Sequence, residues 1–459
     1  MVKIGLDKSK DFIYKKTRKD VLEMIKPSSK QIIQDKKFVD LIIKKIEHFK
    51  GSHISAIVAG SIGKNTYIKD SVDFDIFVLY PPSLKKENFI KEGLIIGEKV
   101  FKGYFWEKTY SQHPYIRGVI DGKKVEIIPA YKIDVGENII SAVDRTSLHL
   151  FFINKNMSNY QKDDVRILKY FLKKIDCYGA DSSINGFSGY LCELLILFYG
   201  SFINLLEHSV NWSFPIKFVL LKEQEPFLNN FSENLVVIDP VDSNRNVASA
   251  VSDSNISKFI SASRVFIENP NIDFFKKRVV NQMTYHQLIG RLNNFPLGVI
   301  CFNVKNLLKE VSFSKIKKNI TKLIKYLEIN NFYILKNDIY LDEENSKAYF
   351  IFMFDKFKIP KFYSAIGPKI TDFINSEKFI NNSSGKGVLG PFIKDDRWYE
   401  IRQRDRVDIK SIILNFLFSN FDIPSKLYID KEISDLYLKE DILSIYFSDF
   451  FISKEKFLF

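Results

Sequence analysis

At 459 residues with 46% apolar and 27% charged side chains, the chain is too long for one core and too apolar to be disordered, so roughly two to four folded domains are expected. A net charge of +13 argues against a small neutral substrate as sole partner and favours an anionic one such as nucleic acid; a generally lysine-rich surface is the plain alternative. Cys177, Cys192 and Cys301 are too widely spaced for a disulfide framework or a zinc pattern, and no apolar run approaches the roughly 18 residues of a membrane span, which together read as a reducing, cytoplasmic setting.

In chain order, residues 1–50 carry 14 Lys and Arg against 7 Asp and Glu. Phe12, Val21, Met24 and Ile25, then Phe38, Leu41, Ile42, Ile46 and Phe49, recur at helical spacing, so two basic helices are expected with a break at Pro27-Ser28-Ser29. Ile54 to Val58 is an apolar, β-prone approach ended by Gly60-Ser61. Ser61 is placed to start a short helix whose open backbone N–H groups, with Gly60 and Lys64, would seat phosphate. After Asp70-Ser71 the chain turns into a strand, Phe74 to Val78. Asp73 and Asp75 lie two apart, so the pleat puts both carboxylates on one face, where oxygen ligands suit a hard cation. Alone, each half is the ordinary sign of a capped turn or a solvated strand end; joined in one short stretch they describe a phosphate seat beside a metal seat.

Ser83 to Val100 patterns as a helix, and Tyr115 to Ile120 with Lys124 to Pro129 flank Asp121-Gly122, a hairpin signal. Glu126 sits on the second of these strands, inside Val125-Glu126-Ile127-Ile128, where an ionisable group is costly to bury unless paired or on metal. It is either paired with a lysine such as Lys123 or turned outward, or it is the third carboxylate of a two-metal phosphoryl-transfer site. From about 141 to 260 the pattern is helical. Asp163-Asp164 precede Val165, Ile167, Leu168, Phe171 and Leu172, and Arg166 and Lys169 lie three apart on that helix and share a face. Phe187 to Leu205 is apolar nearly all round and reads as one buried core helix, interrupted by Glu193 and Gly200, with Cys192 as packing. His149 by itself reads as a satisfied core histidine and Tyr178 as an ordinary, partly buried aromatic.

Ser314 to Glu328 is a basic amphipathic helix, followed by strands at Phe332 to Leu335 and Ala348 to Phe354. Leu389-Gly390-Pro391-Phe392 leads into Arg397-Trp398-Tyr399-Glu400-Ile401 and then Arg402, Arg404 and Arg406. Alternating arginines on a strand would leave one face cationic for an RNA backbone, with Trp398 and Tyr399 as stacking platforms; a solvated edge strand is the plain alternative. Beyond Ser411 the aromatic-rich helices read as packing or as the contact of a homodimer.

The Ala59 to Tyr80 stretch resembles the polymerase-β-like nucleotidyltransferases. His113-Pro114-Tyr115, Val125 to Tyr131 and Ser141 to Thr146 resemble successive signatures of the class I, archaeal-type CCA-adding enzymes, a family of tRNA nucleotidyltransferases. The likeness continues through Val165 to Lys169, Tyr178-Gly179-Ala180, Gly186 to Leu195, Tyr199 to Phe202, Asp239 to Asp242 with Arg245 to Ala248, and the Gly367-Pro368 and Gly390-Pro391 turns. It implies an α+β fold: a polymerase-β-like nucleotidyltransferase catalytic domain over 1–140, a helical central domain completing the nucleotide pocket over 141–260, and α/β C-terminal RNA-binding domains over 261–459.

The same resemblance implies that Asp73, Asp75 and Glu126 are the catalytic, metal-binding carboxylates and hold two Mg²⁺ ions, with Gly60, Ser61 and Lys64 on triphosphate oxygens. His149, Lys169 and Tyr178 fall where the triphosphate and sugar of the incoming nucleotide are held, Arg245 where the base edge is read, and Arg397, Trp398, Arg402 and Arg404 on the RNA. The activity implied is template-independent addition and repair of CCA at the tRNA 3′ end from CTP and ATP, with release of pyrophosphate. Its partners are the tRNA acceptor stem and 3′ end, and no membrane. An arginine only donates, so it reads acceptors that C and A share and that G and U do not present in the same arrangement. The chain departs from the family in having Glu126 where Asp is usual, one methylene longer, and Gly63, Lys64 and Ser147 where Ala, Arg and Pro are common; Lys64 loses the bidentate fork. Two other readings stand beside this one: a poly(A)-type or oligoadenylate-type transferase on the same core, and a non-catalytic tRNA-binding protein with a degraded site.

Overall fold

The computed structural model describes residues 8–49, 54–69, 72–110, 114–133, 139–140, 143–276, 281–305, 309–342, 344–383, 388–452, 455 and 457–458; Asp70, Ser71, His113, Ser141 and Ala142 of the motifs above lie outside them. Two compact units result, Met1–Arg278 with Lys454–Phe459, and Val279–Ser453.

The first unit begins with helices α1 (Lys8–Ile25) and α2 (Ser29–Phe49), parted at the proline as the pattern predicts. Then come β1 (Ser55–Val58), the single turn α3 (Gly60–Gly63), β2 (Asp73–Tyr80), α4 (Lys86–Val100), β3 (Trp106–Tyr110), β4 (Pro114–Ile120) and β5 (Lys123–Tyr131). The strands form one sheet in the order β1-β2-β5-β4-β3, with β2 and β5 parallel and the other neighbours antiparallel. Phe74, Ile76, Val78 and Tyr80 pack with Phe38, Ile42 and Ile46 of α2 and Phe89 and Ile96 of α4 into one core. Because side chains alternate along a strand, Asp73, Asp75, Phe77 and Leu79 point to the opposite face. Asp121 and Gly122, with φ of +51° and +76°, close the β4–β5 hairpin tightly.

The rest of this unit is α5 (Arg145–Asn156), α6 (Asn159–Lys174), α7 (Gly189–Tyr199), α8 (Phe202–Ser209), β6 (Ile216–Phe218), β7 (Leu235–Asp239), β8 (Asp242–Asn246) and α9 (Asp253–Glu268). It is mainly helical around a second core that takes in Phe171, Phe187, Phe202, Phe259 and Phe266. Two features differ from the sequence pattern. The apolar stretch expected as one helix is two, α7 and α8, bent by 87°. Gly200 at φ +82° stops the first, and Ser201 caps the second by accepting from Asn204 N. The region read as all helix also holds a small sheet, β6-β7-β8. Every residue of β7 is buried, so it shows no alternation and could not be told from a helix segment by period. The break between units falls at 278, not at 260, because α9 runs through residue 260 and carries Phe259 and Phe266 into the core. Among the described residues no single helix is long and apolar enough to cross a membrane; α7 and α8 pass such a test only as a bent pair, and most of their apolar residues lie in the core, Phe198 being exposed.

The second unit comprises α10 (Tyr285–Asn294), β9 (Leu297–Asn303), α11 (Lys309–Ile329), β10 (Ile334–Asp342), β11 (Lys347–Phe354), β12 (Phe362–Lys369), α12 (Phe373–Ser383), β13 (Leu389–Lys394), β14 (Arg397–Gln403), α13 (Ile409–Asn420), β15 (Ser425–Ile429), α14 (Glu432–Tyr437) and α15 (Leu443–Phe451). An antiparallel sheet, β10-β11-β9-β15, carries α11 and α13 on one face and α10, α14 and α15 on the other. A second antiparallel sheet has the order β12-β14-β13. Past Ser411, Phe416, Phe447 and Phe450 are core packing, whereas Phe418 points to solvent.

Candidate active site

The parallel register of β2 and β5 pairs Asp75 directly with Glu126. Asp73, two residues before Asp75, projects from the same sheet face, so the three carboxylates share the side that α2 and α4 leave uncovered. Lys123 pairs with Asp35 on α2, which removes it as the partner considered for Glu126; the Tyr115 hydroxyl lies 3.4 Å from Glu126 Oε1. Burial, and after it the charges of Glu126 and Asp73, push Asp75 up to about 7, with Lys64 pulling the other way. Among the described residues no three His, Cys, Asp or Glu side chains are drawn close enough to hold an ion as they stand. The donor set nevertheless fits a hard divalent cation: all its ligands are carboxylate oxygens, and the repulsion that raises Asp75 is what a cation's charge relieves.

The α3 turn lies against this face. Gly60 has φ +57°, and a Cβ there would stand 1.8 Å from Asp75 Oδ2, while Ala59 N donates to Asp75 O at 2.9 Å. The α3 turn and the carboxylates are therefore adjacent, as the sequence implies. The helix is short, as expected, but it is a single turn with Ala59 at its N-cap position and no side-chain cap, so Ser61 lies inside the turn and does not start it. One turn carries little macrodipole, and any anion held here meets individual N–H groups.

Lys64 follows the turn and is buried. Its Nζ donates to Glu193 Oε2 at 2.8 Å. Lys169 of α6 donates to Thr66 O and Oγ1 at 3.2 and 3.0 Å and lies 3.5 Å from Glu193 Oε1, to which the Thr66 hydroxyl donates at 2.7 Å. Burial alone would raise the Glu193 carboxyl, but the Lys64 and Lys169 ammoniums outweigh it and hold it below its usual range; burial lowers Lys169. Arg166, on the same face of α6, donates to Asn65 O and Oδ1 at 2.7 Å and to Tyr67 O at 2.9 Å, so Arg166 and Lys169 both fasten the segment after α3. A Cβ at Gly189 would stand 3.2 Å from the Tyr178 hydroxyl and 3.6 Å from Lys169 Nζ, which brings Tyr178 to the same place.

His149 on α5 and Arg245 on β8 meet at Asp239, the last residue of β7. His149 Nε2 and Arg245 Nη1 lie 2.8 and 2.7 Å from the same oxygen, Oδ2, and the Tyr190 hydroxyl donates to Oδ1 at 3.1 Å. The Tyr190 ring stacks on His149 with centroids 3.8 Å apart, and Lys64 Nζ stands 4.7 Å from that ring. Burial opposes ionisation of Asp239, but His149 and Arg245 outweigh it and lower the carboxyl; burial lowers His149. Sequence reasoning placed Asp239 only within a block and missed Tyr190 and Glu193. The available signal for Glu193 was the one used for Glu126, an ionisable group in an apolar run.

In the second unit, Arg397, Trp398 and Arg402 lie on β14, but the strand ends at Gln403, before Arg404 and Arg406. Arg397 and Arg402 are five apart and so face opposite sides; the expected row of alternating arginines on one strand face does not form. Arg402 pairs with Glu400, Arg397 donates to Gly367 O at 3.3 Å, and Arg404 donates to Pro360 O at 2.9 Å beneath the Tyr363 ring. Trp398 Nε1 is buried with no hydrogen-bond partner among the described residues, and Tyr399 stacks on Phe392.

Three family models match the chain: a nucleotidyltransferase domain over residues 39–149, the second domain of tRNA nucleotidyltransferase over 163–276, and the C-terminal domain of the CCA-adding enzyme over 296–420. The chain is 35% identical over 422 residues to a CCA-adding enzyme of Methanocaldococcus jannaschii, covering 88% of this chain and 92% of that one. It is 39% identical over 342 residues to one of Methanococcus maripaludis, covering 68% and 74%, and 32% identical over 397 residues to one of Sulfolobus acidocaldarius, covering 86% and 90%.

Proposed function

The chain belongs to the CCA-adding enzymes, and on that premise we propose how its residues divide the work. The reaction is template-independent completion of the tRNA 3′ end from nucleotide substrates. In our reading these are CTP and ATP, Asp73, Asp75 and Glu126 hold two Mg²⁺ ions, and those ions when bound supply the positive charge that favours the attacking hydroxyl and the leaving pyrophosphate. The 3′-hydroxyl oxygen of tRNA bonds to the α-phosphorus as the bond to the departing bridging oxygen breaks. Backbone N–H groups at Gly60 and Ser61 hold triphosphate oxygens together with Lys64 and Lys169, whose summed charge Glu193 halves. Tyr178 and His149 hold the sugar end. Arg245 spends one N–H on Asp239 and turns the rest of its fork to the base, where it meets acceptors common to C and A.

Residues up to about 140 carry the chemistry, the remainder of the first unit completes the pocket, and the second unit engages the acceptor stem, with Arg397, Trp398, Arg402 and Arg404 as its contact points. A cytoplasmic setting accords with tRNA as substrate. The observation that carries the reading is the apposition of Gly60 against Asp75, with Glu126 in register, inside a chain that CCA-adding enzymes match along most of its length. A tRNA lacking CCA, offered CTP and ATP separately and together, tests it: C, C and then A is the expected order, and long runs of A or indifference to CTP would overturn it.

A further inference from the structure

We infer that Asp239 is a positioning residue for nucleotide selection, holding the Arg245 fork and the His149 ring as one unit with a fixed pattern of donors and acceptor. The inference rests on the reading above, in which Arg245 and His149 face the incoming nucleotide.

Asp239 is fully buried and its lone pairs are spoken for. Oδ2 takes His149 Nε2 and Arg245 Nη1, and Oδ1 takes the Tyr190 hydroxyl and Val241 N, the last at 3.1 Å. A carboxylate between two basic groups is ionised and can only accept, so His149 Nε2 must carry the proton that lies between them. Burial keeps the ring neutral, which leaves Nδ1 without a proton. Nδ1 makes no hydrogen bond among the described residues and is not one of the buried orphan atoms, so it presents an acceptor to accessible space. Arg245 stands opposite in character. Its side chain is 34% exposed, and among the described residues only Nη1 is engaged, so the remaining N–H groups are donors with a set direction.

One oxygen thus ties a donor fork to an acceptor nitrogen. Without it the guanidinium would rotate about its long stem and the imidazole would choose its tautomer freely. The lock also separates the roles of the two groups. A neutral His149 whose N–H is spent on Asp239 can accept from a hydroxyl or an amine of the nucleotide and cannot donate to its phosphates. The stacked Tyr190 ring, with its own hydroxyl on Oδ1, holds the imidazole plane against Asp239 from a second direction.

Asp239→Asn keeps the shape but removes the charge and exchanges one oxygen for an NH2 that only donates, so the four donors gathered on Asp239 cannot all be received. The expected result is a rise of about tenfold in KM for CTP and ATP. Turnover should stay within about threefold, because Arg245 and His149 hold the bound nucleotide before reaction as much as during it. Preference for CTP over UTP should fall by about tenfold. Loss of folded protein would instead lower turnover equally for every nucleotide, with KM and preference unmoved, and that outcome overturns the inference. Nitrogen-15 NMR of the wild-type enzyme gives an independent reading that needs no variant: His149 should be the Nε2–H tautomer, and an Nδ1–H ring would overturn the proposal even if Asp239→Asn failed to fold. Arg245→Ala is measured alongside. If it leaves nucleotide choice intact, the reading of the pocket fails; if it relaxes choice while Asp239→Asn behaves as wild type, the role of Asp239 alone fails.

Discussion

On the β2–β5 face, Asp75 stands against Glu126 and Asp73 and is pushed up to about 7. At Glu193 and Asp239 the carboxylates are at least as deeply placed, yet both are held below their ordinary range, each by two basic groups. Burial is the largest single influence on all three and cannot explain the difference. What differs is who supplies the opposite charge. Around α7 and β7 the protein supplies it, through Lys64, Lys169 and Arg245, with the His149 N–H as a further donor, and the acids serve to fix side chains. On the β2–β5 face the neighbouring carboxylates outweigh the pull of Lys64 on Asp75, and on the proposed function a bound cation would relieve that repulsion.

The two kinds of carboxylate should part most widely at Asp75. Asp75→Asn should abolish nucleotide addition by about a thousandfold or more, since several kcal/mol of transition-state stabilisation are lost. It should leave the melting temperature unchanged or raised, because a repelled carboxylate is gone. Primer extension and calorimetry check the two halves, and a lowered melting temperature would mean that Asp75 is structural. Glu193→Gln should do the reverse. It leaves Lys64 and Lys169 buried without their anion, at a cost of about 3–5 kcal/mol in stability, read by denaturant unfolding.

Gly60→Ala tests the apposition itself. The new methyl group meets the mobile end of the Asp75 side chain, which can swing aside, so the stability loss should be confined to the left-handed backbone, about 1–3 kcal/mol. Activity should fall by more, about a hundredfold, as the displaced carboxylate leaves its place. The smallest effect concerns pH. Burial sets the folded value of His149 below its ordinary 6.5, so its contribution to stability is complete above that value and is lost as pH falls below it. His149→Gln should remove this acid-side step from a plot of stability against pH.

Much of the catalytic sheet was legible because it obeys a period of two. Asp73 and Asp75, the Asp121-Gly122 turn and Glu126 within its apolar strand all fall where alternation and turn chemistry put them. The cations of α6 were legible as a shared face, though not their targets. The pocket was less so, since its pairs are made at long range: Lys64 and Glu193 are separated by 129 positions, His149 and Asp239 by 90, and no spacing rule reaches that far. Elements also hid where burial erased the period, as in β7, or where one glycine turned the chain within an apolar run, as at Gly200. The arginine row failed for a simpler reason: the strand ends before two of its members.

Tyr190 and Glu193 lie three residues apart on α7, about 4.5 Å along its axis. One touches the Asp239 cluster and the other holds both lysines. On the proposed division of roles, the base end and the phosphate end of a nucleotide would thereby be gauged from a single stiff bar, like the two jaws of a caliper. Such a device measures length as well as identity, so an analogue with a correct base and a lengthened link between sugar and triphosphate would fall out of gauge.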